Sequence, residues 1–128
     1  MRPKVDERAA LCREFYRALI HALRYVALRY GYAICVHGSL KRDIDLVAIP
    51  WRETATNAEA LIQALTKTTE HIVGIARERP HDRSPEVKPH GRKAWAIYLS
   101  HLDDGPYLDI SVMPRLGDAR KEDAAPHA

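Results

Sequence analysis

The run His37-Gly38-Ser39-Leu40-Lys41-Arg42-Asp43-Ile44-Asp45-Leu46 decides how this chain is read. Ahead of it, Tyr32 to Val36 is a short apolar, β-branched stretch that predicts a strand. Behind it, a second strand is predicted from near Asp43 through Ile49, closed by Pro50. The link between the two is too short for a crossover helix, so the pair is expected to be antiparallel. Residues two apart on a strand share a face. Asp43 and Asp45 therefore project to one side of the sheet, and Ile44, Leu46 and Ala48 to the other.

Working outward, the N-terminal segment predicts a long helix from about Asp6 to Tyr30. Leu11, Phe15, Leu19, Leu23, Val26 and Tyr30 recur at helical spacing, and Gly31 is the expected stop. Asp6 and Glu7 near the start and Arg29 near the end suit the helix dipole. Downstream of Pro50, Thr56-Asn57-Ala58-Glu59 reads as a capping box. It opens a second helix with Ala58, Leu61, Ile62 and Leu65 on one face, fading around Thr68 to Glu70. Ile72 to Ala76 is expected to be a third strand. The stretch from Arg77 to Lys93 holds Pro80, Pro85, Pro89 and Gly91 and is expected to be a long loop. Two further strands, Ala94 to Ser100 and Tyr107 to Met113, flank the turn signal Asp103-Asp104-Gly105 and read as a hairpin. The expected fold is α/β: a mixed, largely antiparallel sheet of four or five strands with two helices packed on one face. The domain is expected to span residues 1–114, with a mobile tail over residues 115–128.

Composition narrows the class. The 128 residues are 46% hydrophobic and 29% charged, which is globular rather than disordered. Twenty basic against 17 acidic residues leave a net charge of only +3, too balanced to announce a nucleic-acid binder. Cys12 and Cys35 sit among apolar neighbours without motif spacing and read as reduced core residues of an intracellular protein. Charges at Arg2, Lys4, Asp6, Glu7 and Arg8 break any apolar run at the start, so neither a signal peptide nor a membrane span is expected, and the expected location is cytoplasmic.

The chemistry gathers on the polar side of the strands. In the last strand, Leu108, Ile110 and Val112 share one face, and Tyr107, Asp109 and Ser111 the other. If the helices cover the apolar face, Asp43, Asp45 and Asp109 can stand together on the open one. Three convergent carboxylates repel and call for a cation, and hard oxygen donors favour Mg²⁺ or Mn²⁺. Gly38 lets the backbone approach a bulky anion, the Ser39 hydroxyl can donate to phosphate, and Lys41 or Arg42 can offset charge. Each also has a plainer reading: Gly38 as a tight turn, Lys41 and Arg42 as solvated turn residues. The basic segment Lys88-Pro89-His90-Gly91-Arg92 is a second candidate contact for phosphate or base through Lys88, His90 and Arg92, or else an ordinary charged loop. His37 can approach the site, Trp51 can line its rim, and Trp95 reads as core. Carboxylates, a metal and a phosphate cradle are what phosphoryl or nucleotidyl transfer requires.

Gly38-Ser39, Asp43-Ile44-Asp45-Leu46 and Asp109 in Tyr-Leu-Asp-Ile-Ser together resemble the DNA polymerase beta-type nucleotidyltransferase superfamily. The resemblance spans roughly Ala33 to Pro114. It implies that Asp43, Asp45 and Asp109 ligate the metal ions, that Asp109 helps deprotonate an acceptor hydroxyl, and that Gly38 and Ser39 hold a triphosphate. The implied reaction is attack of an acceptor on the α-phosphate of an NTP, ATP or another, with pyrophosphate leaving. The acceptor is left open among protein, nucleic acid and small molecule. The full run, with Lys88 to Arg92 and Trp95, also resembles small phage and bacterial proteins carrying this core. Two features depart from the family pattern. Only Leu40, Lys41 and Arg42 separate Ser39 from Asp43, where the family has a longer segment, and no helical acceptor domain is expected. An inactive nucleotide- or metal-binding module on the same fold is therefore a second reading. A nucleic-acid accessory protein using the basic loop is a third, and it predicts salt-dependent binding.

Overall fold

The computed structural model describes residues 4–78, 85–102 and 104–118. Helix α1 (Lys4–Arg29) leads into strand β1 (Tyr32–His37), followed by β2 (Ile44–Pro50), helix α2 (Ala58–Val73), the two-residue strands β3 (Arg77–Glu78) and β4 (Glu86–Val87), and the longer β5 (Lys93–Tyr98) and β6 (Tyr107–Val112). The sheet order is β1-β2-β6-β5-β3, with β4 also pairing along β5. The β1–β2 pair is antiparallel, as its short link requires, and so are β5–β6, β3–β5 and β4–β5. The β2–β6 pair is parallel. A parallel pair needs a crossover, and α2 with the β3–β5 excursion supplies it.

Alternation along the strands sets the layers. Ile44, Leu46 and Ala48 of β2 and Leu108, Ile110 and Val112 of β6 are buried, as are Tyr32, Ile34, Trp95 and Ile97 of the flanking strands. They form one core with Leu19, Ile20, Leu23 and Ala27 of α1 and Leu61, Ile62 and Leu65 of α2. Each large side chain fully buried there stabilises the fold by about 1.5–3 kcal/mol before entropy is counted. Both helices thus cover one face of the mixed sheet, and residues 45, 47, 109 and 111 lie on the other, only partly shielded.

Several expectations change. Ile72 and Val73 are the last turn of α2, not a strand. Gly74 follows in the left-handed conformation (φ 89°) and its N–H donates to the Glu70 carbonyl, a helix C-cap. The β-branched pair had mimicked a strand; the helix continues because Leu61, Ile62, Leu65 and Thr69 bury a continuous stripe. The N-cap is Asn57, one residue later than a Thr56 capping box implies, and its side chain accepts from the Ala60 N–H at 2.8 Å. On α1, Leu11 is 46% exposed and Cys12 takes the inward position. Cys35 is exposed, because its place in β1 faces away from the helices; only Cys12 is a core thiol, and both are free. The stretch read as one long loop contains β3, β4 and a 3₁₀ turn at Pro89–Gly91. Pro80, Asp103 of the turn signal and residues 119–128 of the expected tail lie outside the described residues. At residues 115–118, Arg115 is bound to Asp118, with Nε 2.9 Å from Oδ2. Among the described residues no helix is long and apolar enough to cross a membrane.

Candidate functional site

The open face is organised by register. Asp45 of β2 pairs directly with Asp109 of β6 in the parallel ladder, and on its other side with His37 of β1. Directly paired residues project to the same side of a sheet. His37, Asp45 and Asp109 therefore form a row across three strands, and Ala96 of β5 continues it. Asp43 lies just before β2 and is partly buried.

The carboxylates sense one another. Asp45 is held above the ordinary carboxyl range by desolvation and then by the charge of Asp43, with His37 pulling the other way. Asp109 is raised by desolvation and then by Asp45; Lys88 opposes this, and Asp43 and Glu86 add to it. Burial together with like charges favours the protonated form. Repulsion of this kind is what a bound cation would relieve.

Gly38 closes one side. Its φ is +82°, and a Cβ built on it would lie 2.9 Å from Asp45 Oδ2. Glycine is needed twice over: for the backbone conformation and for the room it leaves beside the carboxylate. Leu40 also has positive φ (58°), and its side chain packs against the core. The turn from β1 to β2 is thus anchored inward by Leu40, while Ser39, Lys41 and Arg42 are exposed.

Sequence reasoning passed over Arg8. Its Nη2 lies 3.0 Å from Asp43 Oδ1, with the two side chains 24% and 18% exposed. Its Nε donates to the Arg42 carbonyl at 3.0 Å, its Nη1 to the Asp104 carbonyl, and its Nη2 also to the Gly105 carbonyl at 3.4 Å. One guanidinium from the start of α1 thus joins the segment before β2 to the β5–β6 connection. Arg8 lies one helical turn before Cys12, whose thiol is raised mainly by burial and then by Asp43. The inward position of Cys12 was the available signal: it puts the side of α1 that carries Arg8 against the sheet.

The basic segment divides. Lys88 binds Glu86 Oε1 at 3.1 Å and lies near enough to Asp109 to draw its pKa down. Arg92 and His90 lie beyond Lys93, which pairs with Val112, whereas Asp109 pairs with Ala96. Register therefore carries Arg92 toward the opposite end of β6, and the Lys88 backbone with it, since the Lys88 N–H donates to the Arg92 carbonyl at 2.8 Å; it is the Lys88 side chain whose charge acts on Asp109. His90 is exposed, with φ 66°, in the 3₁₀ turn. Trp95 is core. Trp51 is 56% exposed and stacks under Arg52, 5.1 Å from the ring centre, at the far end of β2 from Asp45.

Two cavities lie at that far end. One of about 270 Å³ is bounded by Asn57, Glu59, Lys93, Met113 and Arg115, and one of about 380 Å³ by Trp51, Arg52, Glu53 and Leu116. In the first, cations already face acids: Lys93 lies 3.6 Å from Glu59, and Arg115, which also lines the second, is bound to Asp118. The carboxylates with raised pKa values, Asp45 and Asp109, lie instead on the open sheet face.

The donor set there, carboxylate oxygens destabilised in their charged form, suits a hard divalent ion. Among the described residues, however, no group of three or more His, Cys, Asp and Glu side chains is gathered to hold a metal. One of the three carboxylates, Asp43, is engaged by Arg8. The donor type suits a metal, but the three carboxylates are not gathered around one point: Asp45 and Asp109 are juxtaposed by register, and Asp43 is paired with Arg8.

The chain matches no protein-family model and no curated protein. Among solved structures it is similar to Cid1 poly(U) polymerase in its MgGTP-bound form, at 15% identity and a TM-score of 0.44, over 88% of this chain and 39% of that one. The chain thus spans well under half the length of that protein.

Proposed function

We propose that this protein is a metal-dependent nucleotidyltransferase, transferring a nucleotidyl group from ATP or another NTP to an acceptor hydroxyl with release of pyrophosphate. The observation that carries the reading is the direct pairing of Asp45 with Asp109 on an open sheet face, with Asp43 two residues before Asp45. Asp45 and Asp109 would hold Mg²⁺ or Mn²⁺, joined by Asp43. Bound there, the ion would neutralise phosphate charge and orient the triphosphate. The remaining work falls to the chain. Gly38 and Ser39 offer backbone and hydroxyl donors to the phosphates beside Asp45. Lys88 offers a cation on the Asp109 side. The ionised Asp109 carboxylate receives the acceptor proton.

The test is pyrophosphate release with Mg²⁺ and each of the four NTPs across acceptor classes. Wild type should turn over, and Asp45→Asn and Asp109→Asn should each lose at least about a hundredfold. Nucleotide binding without pyrophosphate release would favour a second reading, a binding module on this fold. The short Ser39-to-Asp43 link and the engagement of Asp43 by Arg8 are the observations that favour it.

A further inference from the structure

Resting on that metal-site reading, we infer that Arg8 is a built-in counter-cation that competes with the divalent ion for Asp43. Three observations converge. The guanidinium contacts the carboxylate at 3.0 Å, so it occupies one face of an oxygen that would otherwise be free to coordinate. Both partners are largely withdrawn from solvent, where the pair is less screened than a surface ion pair. The same guanidinium is oriented by three backbone carbonyls, of Arg42, Asp104 and Gly105, from both segments that frame the carboxylates. Arginine remains charged at all working pH, so it is a permanent occupant that only another cation can displace.

The consequence is an equilibrium between two arrangements. In one, Asp43 is bound to Arg8, and α1 is strapped to the β5–β6 connection. In the other, Asp43 turns to a metal shared with Asp45 and Asp109, and the guanidinium is released. A metal that binds only the second arrangement must overcome the ion pair, so its apparent affinity is lowered. Arg8 is thus a positioning residue, acting on the site through Asp43 and never on the substrate.

The experiment is Mn²⁺ titration of the full chain by calorimetry and by electron paramagnetic resonance, in wild type, Arg8→Gln, Asp43→Asn and the double variant. Arg8→Gln should bind Mn²⁺ about tenfold more tightly than wild type. In the Asp43→Asn background, adding Arg8→Gln should change the affinity little. A purely structural Arg8 would not produce that dependence, and a long-range field would produce the tightening in both backgrounds. Unchanged or weaker binding by a folded Arg8→Gln overturns the inference, and so does equal tightening in the Asp43→Asn background. If Arg8→Gln does not fold, Arg8→Lys, which keeps the charge and loses the forked geometry, should show a smaller tightening; no tightening there overturns the inference. If wild type binds Mn²⁺ through Asp45 and Asp109 while Arg8 variants match it, the competition alone fails. If neither wild type nor the Arg8 variants bind Mn²⁺, the metal-site reading fails and the competition with it.

Discussion

Asp45 and Asp109 face each other across the only parallel pair among the described strands, on the side of the sheet that the helices leave uncovered. Like charges directly opposite on neighbouring strands destabilise a sheet. Both side chains are raised above the ordinary carboxyl range, so the native state holds protons there more tightly than the unfolded chain. Native proton uptake stabilises as pH falls, so the sign is fixed: stability is gained on acidification through the raised pKa values and lost as pH rises through them.

Asp45→Asn and Asp109→Asn should therefore each raise the melting temperature of the metal-free protein at neutral pH, by a few degrees. The gain should shrink as pH is lowered into the range where the native carboxyls are already protonated. Calorimetric melts across pH check both the direction and the window.

Gly38→Ala should destabilise by about 1–2 kcal/mol through its left-handed backbone alone, read as a lower urea midpoint. The new methyl would also push Asp45 Oδ2 aside, so Mn²⁺ binding should weaken beyond what the stability loss explains. An unchanged Mn²⁺ affinity would place Asp45 away from the metal.

Asn57→Ala should cost about 1 kcal/mol, because the Ala60 N–H then loses its side-chain acceptor. Thr56→Ala should cost less, since its hydroxyl donates only to the Asn57 carbonyl. Urea denaturation of the two variants locates the start of α2.

The two thiols should separate cleanly. Cys35 is exposed and should react with a thiol reagent in the native state; Cys12 is buried with its pKa raised, and should react only as fast as the protein opens. Counting labelled thiols before and after denaturant addition measures this.

What the sequence made legible was whatever alternates. The apolar rows of β2 and β6, and with them the sidedness of Asp45 and Asp109, follow from a period of two. The antiparallel β1–β2 pair follows from the length of the link. The end of α2 was hidden because Ile72 and Val73 favour strands locally, while their fate depended on the buried stripe continuing to Thr69. Cys35 was misplaced because apolar neighbours on a strand belong to both faces. Arg8 was illegible for a different reason. Its partners lie 35 residues away at Asp43 and 96 and 97 away at Asp104 and Gly105. Local pattern carries no trace of such pairings.

The position of β6 has a consequence for how the molecule is made. It follows every other described strand in the chain yet sits inside the sheet, between β2 and β5. Until it emerges from the ribosome, the inner edge of β2 has no partner, and Asp45 stands without Asp109. A nascent chain halted before Tyr107 would carry the Asp43-Ile44-Asp45 run on an open, aggregation-prone strand edge. Assembly of the carboxylate pair and completion of the sheet are one event, so a partly made chain has neither.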